Sequence, residues 1–138
     1  MSAALAGFIF SKVSFKGRNV LFVIVIATMM IPGAVTIIPN YMVMKNLALL
    51  NKYTGVVLPA TLNAFGMFMF RQNMSLIDDA YMEAAAMDGS TLFRTFWSTI
   101  LPLSMPTFLT QILLGFMFSW NQYLWPLLIL TEKSKVTL

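Results

Sequence analysis

A chain of 138 residues suits one soluble domain by length, yet 59% of its residues are apolar and only 10% are charged, against about a quarter charged in ordinary globular domains. That balance reads as a membrane protein. The formal charge of +4 reflects five acidic against nine basic residues, with no basic run to suggest a nucleic-acid partner, and the lack of cysteine and histidine excludes disulfides, thiol catalysis and the usual zinc sites.

Residues 1–11 are uncharged but too few to cross a bilayer, which takes ~20 residues as a helix. Lys12, Lys16 and Arg18 follow this apolar stretch rather than precede it, which is not the order of a signal peptide. The stretch is expected to be the end of a transmembrane helix whose beginning is missing, making the chain a fragment. Residues 19–44 then carry no charge, enough for one helical span of ~39 Å. Pro32-Gly33 and Pro39 interrupt its hydrogen-bond ladder; an ordinary kink is the simpler reading, a pore-lining break the alternative.

After Lys45 and Lys52 the uncharged segment 53–70 just reaches across a bilayer as a second span. Ala60 and Ala64 make a small-xxx-small pair, and Asn63 sets an amide in mid-span, as on a helix face that packs against another helix.

The following loop, 75–100, holds most of the acidic residues. It reads as two short helices separated by a glycine. Ser75 with Asp78, or Asp78 alone, is expected to cap the first, whose interior is built from good helix formers. Gly89 supplies a left-handed end, and Ser90 or Thr91 caps the second helix. Leu92, Phe93, Phe96, Trp97 and Ile100 recur along that helix at helical spacing. The first limb exposes small alanines flanked by Glu83 and Asp88. It suits either a connector lying on the bilayer surface or a helix that docks into a groove of a soluble partner.

Residues 95–131 are again uncharged, and a third span is expected over 103–125, with Pro102 and Pro106 near its start and Pro126 at its end. Gln111, Asn121 and Gln122 are its amides. Trp120, Tyr123 and Trp125 read as an aromatic belt at the water interface, or alternatively as contacts to a translocating solute. A polar stretch, 131–138, follows. Three spans place the charged loop on the side of Lys12, Lys16, Arg18, Arg71 and Arg94, against Lys45, Lys52, Lys133 and Lys135. The positive-inside rule therefore favours a cytoplasmic loop only slightly.

No Gly-x-x-x-x-Gly-Lys-Ser/Thr stretch occurs, so any ATP would be bound by another subunit. The carboxylates Asp78, Asp79, Glu83, Asp88 and Glu132 all fall outside the expected spans, which argues against a proton- or sodium-coupled carrier. Asp78 and Asp79 are adjacent and do not face each other on a helix, so they suit a helix start rather than an acid–base pair. The twelve methionines read as filler of irregular apolar packing.

Glu83-Ala84-Ala85, three residues, Gly89, and then Leu101-Pro102 twelve residues on resemble the signature loop of the permease subunits of bacterial ATP-binding-cassette importers. Asp88-Gly89 belongs to the same set. Thr99 departs from the family's usual aliphatic residue, and Asp78 stands where relatives often have proline. The resemblance extends over most of the chain. Ala27-Thr28-Met29-Met30-Ile31-Pro32 with Ile38-Pro39, Leu58-Pro59, Phe70-Arg71-Gln72, Ser119-Trp120-Asn121 and Leu124-Trp125-Pro126-Leu127 together look like the carbohydrate-importer branch, the maltose-type second permease.

The resemblance implies an all-α, polytopic membrane helix bundle of the type I importer transmembrane domain. This chain would hold three full spans, a partial helix and a cytoplasmic coupling helix, out of six spans in the family. It also implies no catalysis and no cofactor, with ATP bound by the partner. Glu83, Ala84, Ala85, Asp88, Gly89, Leu101 and Pro102 would form the ATPase-coupling loop. The implied partners are a second permease subunit, two ATPase subunits and an extracytoplasmic solute-binding protein, in the bacterial inner membrane. The cargo would be a sugar, or on the alternative a polyol or glycerol phosphate. A membrane assembly factor that transports nothing is the reading from outside that class.

Overall fold

The computed structural model describes residues 1–61 and 63–132; of the expected polar tail, residues 133–138, with Lys133 and Lys135, lie outside them. Among the described residues the chain is helical and has no strand. The helices are α1 (Ser2–Lys12), α2 (Arg18–Thr28), α3 (Gly33–Asn46), α4 (Tyr53–Val57), α5 (Ala64–Ser75), α6 (Ala80–Met87), α7 (Leu92–Leu103), α8 (Met105–Asn121) and α9 (Leu124–Ile129). A 3₁₀ turn, Leu58–Thr61, follows α4, and the middle of α7, Phe96–Ile100, is π-helical.

The expected spans are less continuous than their apolar runs. The single helix read over 19–44 is two helices meeting at 99°. Pro32 stands in the break and Gly33 opens α3, whereas Pro39 lies inside α3. A similar bend of 79° separates α7 from α8, so Leu103 belongs to α7. The helix expected over 103–125 instead runs from Met105 to Asn121, stops at Gln122 in an extended conformation, and resumes at Leu124. Pro126 thus lies inside α9 instead of ending a span. By length and composition Tyr53–Ser75 is one helical stretch able to cross a membrane, and each bent pair is a further one if counted as a single span. Even that first stretch is jointed. Asn63 has extended backbone, and its Oδ1 accepts from the Gly66 amide at 3.0 Å, so the polar group read as a packing contact is the cap of α5.

The main core lies where α1 packs on α5 and on the second half of α7. Ala4, Phe8, Phe70, Met74, Phe96, Ile100 and Leu101 are buried there. The small residue that permits this approach is Gly7. A Cβ built on it would lie 2.5 Å from the Phe70 Cβ and 2.9 Å from the Arg71 backbone nitrogen, so α1 and α5 touch through their backbones. The Ala60–Ala64 pair does not serve that purpose: Ala60 is exposed, and the joint at Asn63 keeps the two off one helical face. A second cluster, Met44, Trp125, Ile129 and Leu130, joins the end of α3 to α9. Trp125 is 8% exposed, against 78% for Trp120 and 72% for Tyr123. The aromatic trio therefore splits, with Trp125 in the core because α8 stops before Gln122 and α9 packs against the end of α3.

Asn51 ties this second cluster down. Its Oδ1 accepts from the Thr131 amide at 2.8 Å and the Thr131 hydroxyl at 2.7 Å, and its backbone N–H donates to the Ile129 carbonyl at 2.9 Å. It sits at φ +58°, a left-handed conformation that Asn tolerates better than most residues.

Candidate functional site

The limb 80–89 projects from the bundle, and no residue of α6 is buried. Local chemistry determines both of its ends. The Asp78 carboxylate accepts from the Ala80 amide at 3.0 Å, as in an Asx turn that begins a helix. Ser75 plays no part in this; it belongs to α5, where its hydroxyl donates to the Gln72 carbonyl. At the other end the Ser90 amide donates to the Ala85 carbonyl at 2.9 Å and the Gly89 amide to the Ala86 carbonyl at 3.0 Å. These two bonds make a Schellman closure, with Gly89 at φ +71° in the left-handed position. Thr91 then caps α7, its Oγ1 accepting from the Arg94 amide.

Glu83, Ala84, Asp88 and Gly89 are exposed on this limb and Ala85 is half-buried. Leu101 and Pro102 lie apart from it, in the last turn of α7, with Leu101 buried beside Phe96 and Ile100. The apolar series on α7 faces two ways: Phe96 and Ile100 point into the core, whereas Leu92, Phe93 and Trp97 are 55%, 63% and 46% exposed. Together with Leu76 and Met87, at 85% and 89% exposure, they give the limb an apolar surround. Thr99 lies half-buried in the π-helical turn, a local widening that often accompanies function.

Three basic residues gather where α1 ends, and one of them, Lys12, braces the base of the limb; the sequence marked their positions but not these contacts. The Lys12 ammonium, at the end of α1, donates to the Ile77 carbonyl and to Asp79 Oδ1. Arg18 donates to the carbonyls of Ser11 and Val13. Arg71 donates to the Phe10 carbonyl at 3.2 Å while its guanidinium lies 3.7 Å from the centre of the Phe22 ring. Arg18 and Arg71 thus serve backbone carbonyls left free where α1 ends, whereas Lys12 reaches across from that end to the turn before α6. The available signal was the placement of scarce cations after an apolar run, where a helix C-terminus favours positive charge.

Far from the limb, a cavity of about 900 Å³ is lined by α3, the 3₁₀ turn, the end of α8 and the start of α9. Helices α5 and α8 both run between the two sites. The limb follows the C-terminus of α5 and, through α7, precedes the N-terminus of α8, while the cavity lies at their opposite ends.

An apolar, jointed helical bundle with a polar-tipped limb at one end and a cavity at the other is the architecture of a membrane transport subunit. The chain belongs to the family described as the binding-protein-dependent transport system inner membrane component, which it matches over residues 3–135. That family is a component of transporters and not an enzyme. The chain is 40% identical over 123 residues to the sn-glycerol-3-phosphate transport system permease protein UgpE of Yersinia enterocolitica, covering 89% of this chain and 44% of that protein. It is 37% identical over 136 residues to the arabinooligosaccharides transport system permease protein AraQ of Bacillus subtilis, covering 99% and 48%. A solved bacterial ABC transporter involved in the import of the acidic polysaccharide alginate has a chain of similar fold, with a TM-score of 0.88, 28% identity, and coverage of 99% of this chain and 50% of that one. The chain spans about half the length of the relatives it matches.

Proposed function

We propose that this chain forms part of the translocation path of an ATP-driven importer and couples that path to a separate ATPase subunit through the limb 83–89. One observation supports this above the rest: a short helix, closed at both ends by its own caps and anchored to this chain's core chiefly through the half-buried Met82, exposes small residues amid an apolar surround. Such a surface suits a groove on another protein. Glu83, Ala84, Ala85, Asp88 and Gly89 form the docking surface, and Leu101 seats the second limb on the bundle, with Pro102 exposed beside it in the last turn of α7. The spans cross the bacterial inner membrane, with the limb on the cytoplasmic side. The assembly contains a second permease, two ATPase subunits and an extracytoplasmic solute-binding protein, and the cargo is a sugar. The resemblance to a glycerol-phosphate permease favours a phosphorylated polyol as the second reading.

A cysteine introduced as Ala86→Cys in the full-length protein, otherwise cysteine-free, tests the coupling role. Crosslinking to the cytoplasmic ATPase in native membranes is the expected result. Labelling from outside by an impermeant reagent, with no ATPase adduct, would overturn both orientation and role.

A further inference from the structure

Three separate interruptions of the helical backbone converge on the one cavity. Gly33, at the bend between α2 and α3, lines it; so do Pro59 and Ala60 of the 3₁₀ turn, and Gln122 and Tyr123 in the gap between α8 and α9. Non-helical backbone at membrane depth is tolerated where protein buries it or where it borders a wet cavity. Transporters place their solute sites at such broken helices. A volume of about 900 Å³ falls in the usual range for small-molecule sites.

The lining also carries a chemical preference. Thr36 and Asn40, one turn apart on α3, line it together with Asn121 and Gln122, and Phe118 and Tyr123 supply aromatic surfaces. Asn121 donates its amide nitrogen to the Met117 carbonyl at 2.7 Å, which leaves its oxygen as an acceptor. No charged residue lines the cavity among the described residues. Phosphate recognition draws on Arg or Lys. The one feature here that favours an anion is the start of α3, and a helix N-terminus offers only about half a positive charge. Amides, a hydroxyl and aromatic faces are the complement of a neutral ring bearing hydroxyls.

We infer that this cavity is a solute-contact site for a neutral, polyhydroxylated cargo, with Asn40, Asn121 and Gln122 as its hydrogen-bonding residues and Tyr123 as a stacking face. The assignment rests on the transport reading above.

The test uses the full-length permease reconstituted with its partner permease, ATPase subunits and binding protein. The probes are a labelled neutral pentose trisaccharide and labelled glycerol phosphate. The wild type is expected to take up the trisaccharide. Asn40→Ala, Asn121→Ala and Gln122→Ala are each expected to raise its KM about three- to tenfold, the worth of one hydrogen bond, with unchanged co-purification of the ATPase. Preferential uptake of glycerol phosphate, uptake of neither probe, or an unchanged KM in all three variants overturns the assignment. As a readout that needs no turnover, Asn40→Cys is expected to react with a hydrophilic thiol reagent and to be shielded by the trisaccharide; absence of either overturns it too. Failure of the wild type to retain the ATPase would instead strike the coupling reading, so the two failures are separable.

Discussion

Lys12 and Asp79 join the end of α1 to the start of α6, with Nζ 2.5 Å from Oδ1. The pair is lopsided, since the lysine side chain is 4% exposed and the aspartate 77%. The same ammonium serves the Ile77 carbonyl, so Lys12 holds both the backbone and the side chain of the turn that launches the limb. The link joins the start of α6 to α1, which in turn meets α5 through the close contact at Gly7.

That asymmetry predicts unequal costs. Asp79→Asn removes a mostly solvated charge and is expected to cost less than about 1 kcal/mol. Lys12→Met strands a backbone acceptor as well and is expected to cost about 1–3 kcal/mol. Thermal unfolding of the purified full-length permease in detergent measures both, and equal destabilisation by the two variants would contradict the brace.

At Gly89 the constraint is purely conformational, because a Cβ there would meet nothing within 4 Å. Gly89→Ala is expected to cost about 1–2 kcal/mol of limb stability through the left-handed backbone alone, and Gly89→Asn less. Gly89→Pro fixes φ near −65° and deletes the amide that bonds Ala86, a cost of about 3 kcal/mol or more. Uptake should fall in the order Asn, Ala, Pro while membrane insertion persists. Normal uptake by the proline variant would count against the limb as coupling element.

The features legible in the sequence were those carried by one or two residues. Composition marked the apolar helical class. Gly89 and Thr91 bear the turn and the cap in their own backbone and side-chain chemistry, and so could be read directly. The joints could not be read that way: Pro32 and Pro39 are the same residue type on one apolar run, yet the chain turns through 99° at the first and continues as helix through the second. Pro32 has Gly33 beside it and a bend that borders the cavity, whereas the surroundings of Pro39 leave the helix intact. The brace and the cavity were hidden for a related reason. Lys12 and Asp79 are 67 residues apart, and Gly33, Ala60 and Gln122 meet only once the chain has folded back.

Trp125 and Trp120 offer a direct test of that fold-back. Trp125 is buried with Met44, Ile129 and Leu130, and its indole N–H has no hydrogen-bond partner in the structure. Trp125→Ala is expected to cost about 3–5 kcal/mol, whereas Trp125→Phe, which deletes an unsatisfied donor while retaining an aromatic ring, should cost far less. Trp120→Ala, at an exposed position, should change stability little. A larger loss at Trp120 than at Trp125 would restore the aromatic-belt reading for the whole trio.

Two glycines separate the contacts inside this chain from those with its partners. Gly7→Ala drives a methyl into the backbone of α5. Because both neighbours are main-chain or Cβ atoms that cannot swing away, it should cost about 1–3 kcal/mol. Gly115, within α8, has nothing within 4 Å of a built Cβ, so Gly115→Ala should stabilise an isolated helix by about 0.5–1 kcal/mol. Thermal unfolding of the permease alone and of the whole assembly distinguishes the cases. Gly7→Ala should destabilise both. A loss at Gly115 confined to the assembly would show that a helix of a partner subunit seats on α8, whereas a loss already present in the permease outside the assembly would mean that the face is covered within the permease itself.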